Sequence, residues 1–266
     1  MREKITALIS TSPIWCNPST EIVDETYGSI RKHLPDVQIL LLMDGVHPEQ
    51  PHMVDRYEGF KAAIKEKPWS NFQAIEFPDW QHQSGMLRTV LLERDLVKTP
   101  LVFWTEHDLP LCDAPIQWQE IVDALLQHEV DSVRFDLTGE RKPALERGYF
   151  WTKTGVPLLR TVQHTAAAQI VRLDYLQQLV RWFGGAKTYY DDGKTIEAPH
   201  LGFLSQEGSK EFICSVYAPA ADVRRCYHID GRERRMTGKA GKPYIIEPGG
   251  DQKYMYPFPY RPVEKG

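Results

Sequence analysis

The sequence has few cysteines, no long apolar run and no large excess of either charge. Four cysteines among 266 residues show no CxxC pairing, so we expect reduced thiols that behave as small buried hydrophobes. The longest apolar runs, at 39–43 and 101–104, are far shorter than the roughly 18 to 20 residues of a membrane helix. The 32 Lys and Arg against 36 Asp and Glu give a formal charge of −4, which excludes a generally basic nucleic-acid coat.

Internal repeats, low-complexity tracts and long linkers are also missing. At roughly 150 residues per domain, 266 residues correspond to between one and two domains, and without a linker we expect a single domain over 1–266. The 42% hydrophobic content is that of a globular core. The first apolar run begins at Ile5 with no charged-then-apolar leader, so we expect a cytoplasmic protein that does not contact membranes.

Apolar patterning predicts an α/β protein. The continuous apolar character of segment 37–43 is typical of a strand covered on both faces. The predicted strands are at 5–12, 37–43, 74–78, 99–105, 132–137, 166–173 and 212–217, and the predicted helices are at 20–34, 54–65, 86–96, 116–128 and 173–183. Because strand and helix alternate at first, a mostly parallel, Rossmann-like sheet is expected over 1–136, with an elaborated half over 137–266.

Two carboxylates follow the apolar strand 101–105 in the triplet Glu106-His107-Asp108. In open α/β sheets, ligands bind just beyond the carboxyl ends of the strands. Carboxylates there offer hard oxygen ligands to Mg²⁺ or Mn²⁺, and such an ion can in turn hold a diphosphate. The alternative interpretation is a helix N-cap or an ion pair.

The order of four short motifs resembles the nucleotide-binding half of GT-A fold glycosyltransferases, especially family-2-like members. These motifs are a first strand ending in Ser10-Thr11-Ser12-Pro13, a second ending in Asp44-Gly45, a glycine-containing loop and helix with Arg88, and the acidic triplet. The resemblance covers about residues 5–136. It implies a GT-A-like domain that transfers a hexosyl or pentosyl group from a nucleoside-diphosphate-sugar to an acceptor hydroxyl, with 137–266 binding the acceptor.

The resemblance also implies roles for individual residues. Thr11 would lie beside the nucleoside, Asp44 would accept hydrogen bonds from the base, and Arg88 would approach the diphosphate or the sugar. The complete predicted donor-binding set is Ser10, Thr11, Asp44, Arg88, His107 and Arg232. Two alternatives stay open, because Asp44-Gly45 is also an ordinary turn and Arg88 is also a typical solvated helix residue.

Glu106 and Asp108 match the metal-binding triplet of these enzymes, with Glu in place of the commoner first Asp. A late histidine often completes the site, and His228 in Cys226-Tyr-His-Ile-Asp is its predicted counterpart, as a ligand of Mn²⁺ or Mg²⁺. The alternative for His228 is a half-buried, hydrogen-bonded imidazole.

The resemblance also implies an acidic residue 80 to 100 positions after the triplet that acts as a base toward the acceptor. Glu197 fits this position, although the usual Glu-Asp pair is here Glu-Ala. Asp191 and Asp192 are the rival candidates, and a capping or surface role is the alternative for Glu197. An enzyme that retains configuration requires no such base, and the sequence does not decide between inversion and retention.

The segment 224–242 is locally basic, with seven Lys and Arg residues against three acids when Asp222 is included. It is predicted to fold over a diphosphate with Arg232, to contact the phosphates of a nucleic-acid acceptor, or to be a solvated loop. The resemblance implies a saccharide or glycan as the acceptor. The basic segment leaves open a hydroxylated base in DNA, as in phage-type DNA modification. The alternative function is a non-catalytic nucleotide-sugar or carbohydrate-binding protein of the same fold.

Overall fold

The computed structural model describes residues 1–135, 146–162, 167–183, 212–217, 225–230 and 244–245. The strands are β1 (Ile5–Thr11), β2 (Gln38–Met43), β3 (Phe72–Glu76), β4 (Leu101–Glu106), β5 (Ser132–Phe135), β6 (Glu146–Trp151), β7 (Pro157–Thr161), β8 (Gln169–Arg172), β9 (Cys214–Tyr217), β10 (Ile229–Asp230) and β11 (Tyr244–Ile245). The helices are α1 (Glu21–His33), α2 (Val54–Lys65), α3 (His82–Arg88), α4 (Trp118–Leu126) and α5 (Leu173–Phe183). Strands and helices thus alternate through the first 135 residues, as predicted.

One sheet contains nine of these strands, in the order β3-β2-β1-β4-β8-β5-β9-β7-β6. The strands β1, β2, β3 and β4 are parallel to one another. In the second half of the sheet β7 and β8 run against the other strands. The predicted α/β class with a mostly parallel central sheet is confirmed, and the antiparallel members all lie in the elaborated half.

The strand order reverses between β1 and β4. From β1 the chain first adds β2 and then β3 on one side, and it then returns to place β4 on the other side of β1. Such a reversal leaves a crevice at the carboxyl ends of the two adjacent strands, which is where doubly wound sheets bind ligands.

Both faces of the sheet are covered, which explains the continuous apolar strands. All seven residues of β1 are buried. Alternate side chains belong to different core clusters: Ala7 and Ile9 pack with α1, α2 and α4, whereas Leu8 packs with α3 and α5. A residue that points to either face is therefore removed from water, and no polar alternation is needed.

Asp131 joins the strands of the second half of the sheet. Its carboxylate accepts hydrogen bonds from the Arg172 guanidinium at 2.9 Å and from the backbone N–H of Ile213 at 2.6 Å. Backbone hydrogen bonds of Asp131 with the same two residues complete the junction. Burial raises the pKa of Asp131, and the Arg172 charge acts in the opposite direction.

Two sequence predictions differ from the structure. The helix predicted at 86–96 begins earlier, as α3 at His82, and passes into a π-helical turn over Thr89–Glu93. The strands β6 and β7 were not predicted, because Gly148 and Pro157 are both unusual within strands. The structure places Gly148 in an irregular part of the pairing, at φ +107°, and Pro157 at the first position of β7.

Within the described residues, none of the helices is long and apolar enough to cross a bilayer.

Candidate active site

A cleft of about 120 Å³ lies at the crevice between β1 and β4. Ser10 stands opposite Glu106 in the parallel register of these strands, and Asp44 follows β2 directly. The cleft is lined by Ser10, Thr11, Ser12, Asp44, His82, Gln83, Met86, Glu106, His107 and Asp108. Six residues of the predicted site therefore share one cleft, while their individual roles remain predictions.

The two carboxylates of the triplet have different surroundings. Glu106, the last residue of β4, is half-buried and accepts a hydrogen bond from Nε2 of Gln83 at 3.4 Å. Asp108 is 1% exposed, and its Oδ2 lies 3.0 Å from Nε2 of His228. A buried carboxylate is costly unless it is paired, and this contact pairs it.

His107, between the two acids, holds the turn after β4 in place. Its backbone N–H and its ring Nδ1 both lie within hydrogen-bond distance of the Ser10 carbonyl, at 2.9 and 3.3 Å. Its own carbonyl accepts a hydrogen bond from the Thr26 hydroxyl at 2.6 Å. These contacts fix the triplet to β1 and α1, and the predicted contact of His107 with a donor remains a prediction.

Residues 225–229 run antiparallel to the segment that follows the triplet. The backbone N–H of Cys112 donates to the Arg225 carbonyl at 2.8 Å, and that of Ile229 donates to the Asp108 carbonyl at 2.8 Å. The Tyr227 hydroxyl is hydrogen-bonded to the Glu25 carboxylate on α1. This ladder holds His228 against Asp108, although 120 positions separate them in the sequence.

The arrangement fits a divalent ion that is shared with a substrate. Among the described residues, no group of three His, Cys, Asp or Glu side chains is arranged to hold a metal. Asp108 and His228 lie at hydrogen-bond distance from each other, and a carboxylate oxygen and an imidazole nitrogen are both groups that could hold such an ion. Mg²⁺ is commonly held by one or two carboxylates together with substrate phosphates and water, so two protein ligands suffice.

Asp44 holds a loop rather than presenting an open carboxylate. Its Oδ1 accepts hydrogen bonds from the backbone N–H groups of Gly45 and Gln81, and its Oδ2 accepts one from that of His82, all at 2.7–2.8 Å. Asp44 is 1% exposed, and burial raises its pKa against the effect of these three donors. Because a carboxylate offers about four acceptor sites and three are used here, the predicted hydrogen bond to a base stays a prediction.

Gly45 is required by the same loop. A Cβ at this position would lie 2.2–2.6 Å from backbone atoms of Asp79 and Trp80, which is too close for any side chain. The dipeptide Asp44-Gly45 is therefore a docking point for residues 79–82, in addition to the turn that the sequence suggests.

Ser10 and Thr11 close the cleft at the end of β1. The Ser10 hydroxyl donates to the Thr105 carbonyl at 3.4 Å, and the Thr11 carbonyl accepts from the Tyr57 hydroxyl at 3.3 Å. The pKa of Tyr57 is raised by its complete burial. Both cleft residues are thus tied to neighbouring elements of the fold.

Arg88 lies outside the cleft. Its side chain is exposed and pairs with Glu93 at 3.1 Å. Met86 lines the cleft, and two residues correspond to about 200° around a helix, so Arg88 points away from it. The predicted approach of Arg88 to the diphosphate or the sugar stays a prediction, and in this structure its guanidinium pairs with Glu93 instead.

Four predicted residues lie outside the described part of the chain. These are the candidate acceptor bases Glu197, Asp191 and Asp192, and the predicted donor contact Arg232.

A second cavity, of about 330 Å³, adjoins the cleft and was not predicted from the sequence. We call it the aromatic cavity; its lining is Ser12, Pro13, Ile14, Trp15, His47, Gln50, His52, Met53, Trp80 and His82. The signal was present, since tryptophan and histidine recur in the three segments that follow β1, β2 and β3.

Comparison with known proteins gives structural likenesses only. No protein-family model and no curated protein sequence matches the chain. It is similar to the structure of Staphylococcus aureus TarS 1-349 in complex with UDP-GlcNAc, at a TM-score of 0.48 and 11% identity, covering 91% of this chain and 62% of that one. It is also similar to the mannosyltransferase PcManGT from Pyrobaculum calidifontis in complex with GDP-Man and Mn²⁺, at 0.49 and 13%, covering 88% and 59%.

A third similar structure is the bifunctional IspDF from Campylobacter jejuni, at a TM-score of 0.42 and 9% identity, covering 83% of this chain and 51% of that one. Structural neighbours thus include GT-A-type glycosyltransferases, as the order of the motifs predicts. The chain spans less than two thirds of each of these three neighbours. Because all three TM-scores are below 0.5, our proposals rest on the strand order and the cleft geometry.

Proposed function

We propose that the protein is a metal-dependent glycosyltransferase that moves a sugar from a nucleoside-diphosphate-sugar to an acceptor hydroxyl. The observation that carries the proposal is the contact of Asp108 with His228 at the reversal point of the sheet, where Glu106 ends β4. A buried acid–imidazole pair next to a half-buried carboxylate suits a ligand that brings a cation and a diphosphate together.

In this proposal Asp108 and His228 hold the ion, and Glu106 lies beside it. A bound Mn²⁺ or Mg²⁺ would supply Lewis-acid stabilisation of the departing diphosphate. His107 and the Tyr227–Glu25 contact keep both ligands in position, so that little rearrangement is needed when the donor binds. Ser10 and Thr11 border the place that the donor would occupy.

The acceptor half of the proposal rests on sequence. Glu197 is the proposed base that takes the proton from the acceptor hydroxyl in an inverting reaction, with Asp191 and Asp192 as rivals. Arg232 belongs to the basic segment 224–242 and follows His228 by four positions in the sequence. It is proposed to neutralise the leaving diphosphate.

A saccharide or glycan is the proposed acceptor, and a hydroxylated base in DNA is the alternative. Arg225 does not support the DNA alternative, because it is 5% exposed and lies over the Tyr217 ring at 5.4 Å. Burial lowers its pKa. A salt titration of duplex DNA binding tests this point, and no affinity at low salt would exclude the DNA acceptor.

The deciding experiment is a panel of nucleotide-sugars assayed for nucleoside-diphosphate release, with Mn²⁺, with Mg²⁺ and with a chelator. We expect release with one or more donors, loss with the chelator, and a loss of at least about 100-fold in Asp108→Asn. The control is Asp95→Asn, which removes one member of an exposed pair with Lys98 and does not line the cleft.

Two outcomes would contradict the proposal. Donor binding without turnover under every condition would favour the non-catalytic nucleotide-sugar or carbohydrate-binding protein. Turnover that is unchanged by the chelator and by Asp108→Asn would exclude the metal role and keep only the transfer reaction.

A further inference from the structure

Gln83 is a buried polar residue in the wall of the cleft between β1 and β4. It belongs to α3 and is 6% exposed. Met86 lines the same cleft, and because residues three apart share a helix face, this face of α3 carries both side chains. The backbone N–H groups of Gln81 and His82 are bonded to the Asp44 carboxylate. The start of α3 is thus fixed immediately before Gln83, and the side chain faces the cleft without rearrangement.

The contact with Glu106 determines which end of the Gln83 amide is available. Nε2 of Gln83 lies 3.4 Å from Oε1 of Glu106. An ionised carboxylate only accepts hydrogen bonds, and an amide side chain donates only through its nitrogen, so the nitrogen end must face Glu106. The amide oxygen, Oε1 of Gln83, is the end that remains. It is buried, and within the described part of the chain no group donates a hydrogen bond to it.

A buried acceptor of this kind points to a ligand. Buried polar side-chain atoms in folded proteins nearly always have a hydrogen-bond partner, and a buried acceptor without one destabilises the structure that contains it. Because Gln83 lines the cleft, a ligand in the cleft can supply the missing partner. That part of the ligand must be a hydrogen-bond donor, since a carbonyl oxygen can only accept.

The charges around Gln83 indicate which donor suits this place. Asp44, Glu106 and Asp108 line the cleft with it, and its described lining contains no Lys or Arg side chain. Phosphate oxygens are anionic acceptors, so they are repelled from Glu106 and give Oε1 of Gln83 no proton. Hydroxyl groups are neutral and donate. The inference rests on the proposed function, in which the ligand is a nucleoside-diphosphate-sugar and carries hydroxyl groups on its ribose and on its transferred sugar.

We propose that Gln83 is a specificity-determining residue of the donor site, and that its Oε1 accepts a hydrogen bond from a hydroxyl group of the nucleoside-diphosphate-sugar. Glu106 contributes by binding the nitrogen end of the amide, which leaves the oxygen end for the ligand. The hydroxyl belongs to the ribose or to the transferred sugar, which offer the same chemistry. A ligand that lacks this hydroxyl leaves the acceptor buried and unpaired, and the site discriminates against it.

The test is calorimetric binding of paired ligands to the full chain in the presence of Mn²⁺. One arm compares UDP and GDP with their 2′-deoxy and 3′-deoxy forms, and identifies a ribose hydroxyl. The other arm compares UDP-glucose and GDP-mannose with analogues that lack one sugar hydroxyl at a time. We expect removal of one particular hydroxyl to raise the dissociation constant by about 5- to 150-fold, the effect of an unpaired buried acceptor.

The variant Gln83→Met has a similar shape and no hydrogen-bonding amide. In this variant the ratio of the two dissociation constants for that ligand pair should fall below about threefold, because the group that senses the hydroxyl is gone. A loss of stability alone would weaken the binding of both members of a pair and leave their ratio unchanged. The ratio therefore separates a contact with the ligand from a structural role.

Gln119→Met is the matched control. Nε2 of Gln119 also donates to a carboxylate, that of Asp123 at 2.8 and 2.9 Å, but Gln119 is exposed on α4 and does not line the cleft. This variant should keep the wild-type ratio for every pair. Equal binding of all deoxy forms by the wild type would overturn the inference, as would a ratio that persists in Gln83→Met. Both results leave the proposed function intact, whereas no binding of any nucleotide would contradict both.

Discussion

Nε2 of His228 lies 3.0 Å from Oδ2 of Asp108, and their side chains are 13% and 2% exposed. The contact joins a late segment of the chain to the end of the fourth strand. It is the point at which both halves of the described structure meet the candidate site.

Removing the imidazole should weaken both the fold and the site. His228→Ala leaves the buried Asp108 carboxylate without this partner, which should lower the free energy of unfolding by about 1–3 kcal/mol. It should also raise the Mn²⁺ concentration needed for half-maximal activity. Urea denaturation and a metal titration measure the two effects.

The matched control is His128→Asn, because His128 is exposed and has a φ of +57° that asparagine tolerates. An unchanged Mn²⁺ dependence in His228→Ala would show that the histidine only supports the fold.

Gly45→Ala should displace the loop at 79–82. The new Cβ would lie 2.2–2.6 Å from the backbone of Asp79 and Trp80, so the loop must move and the Asp44 contacts must lengthen. We expect a loss of stability of about 1–3 kcal/mol together with weaker nucleotide binding. Denaturation and calorimetry on the same preparations test this.

Gly28→Ala is the companion variant. Gly28 lies within α1, where an added Cβ would meet open space, so alanine should stabilise the helix by up to about 1 kcal/mol. Equal effects of the two substitutions would contradict the close approach at Gly45.

Cys16 should make stability depend on pH in the alkaline range. Burial raises the pKa of its thiol from 9.0 to about 12. Between these values the folded chain keeps a proton that the unfolded chain releases, so the free energy of unfolding falls as the pH rises above about 9.

Cys16→Ala should therefore show a shallower decline than the wild type between about pH 9 and 11, measured by urea denaturation at several pH values. Parallel curves for the two proteins would rule out a proton held by the folded-state thiol.

Asp131→Ala should be destabilising. It removes a partner from Arg172, whose side chain is 16% exposed, and from the backbone N–H of Ile213. Because Arg172 keeps Asp174 as a second partner, the expected loss is that of a buried backbone donor left unsatisfied, about 1–3 kcal/mol. Asp95→Ala, in an exposed pair, should cost less than about 1 kcal/mol, and similar losses for both would contradict the assignment.

The first half of the fold could be predicted from the sequence because its signals are local. Strands such as 37–43 are apolar throughout, and helices such as 54–65 show the matching period, so their order and type follow directly. The position of the acidic triplet at the end of a strand follows from the same pattern. The position of the cleft at the carboxyl ends of β1 and β4 follows in this way.

The orientation of side chains around short elements could not be predicted. Arg88 lies on a seven-residue helix whose start at His82 depends on contacts of the preceding loop with Asp44. The double role of Asp44 is likewise a tertiary effect, because its partners at 81 and 82 are distant in sequence. Local periodicity contains no information on such contacts.

The ladder between 225–229 and 108–112 also sets the order in which the site can form. Asp108 and His228 are separated by 120 positions, so the triplet is synthesised well before the histidine. During translation the emerging chain can thus fold its parallel sheet before it can assemble the acid–imidazole pair.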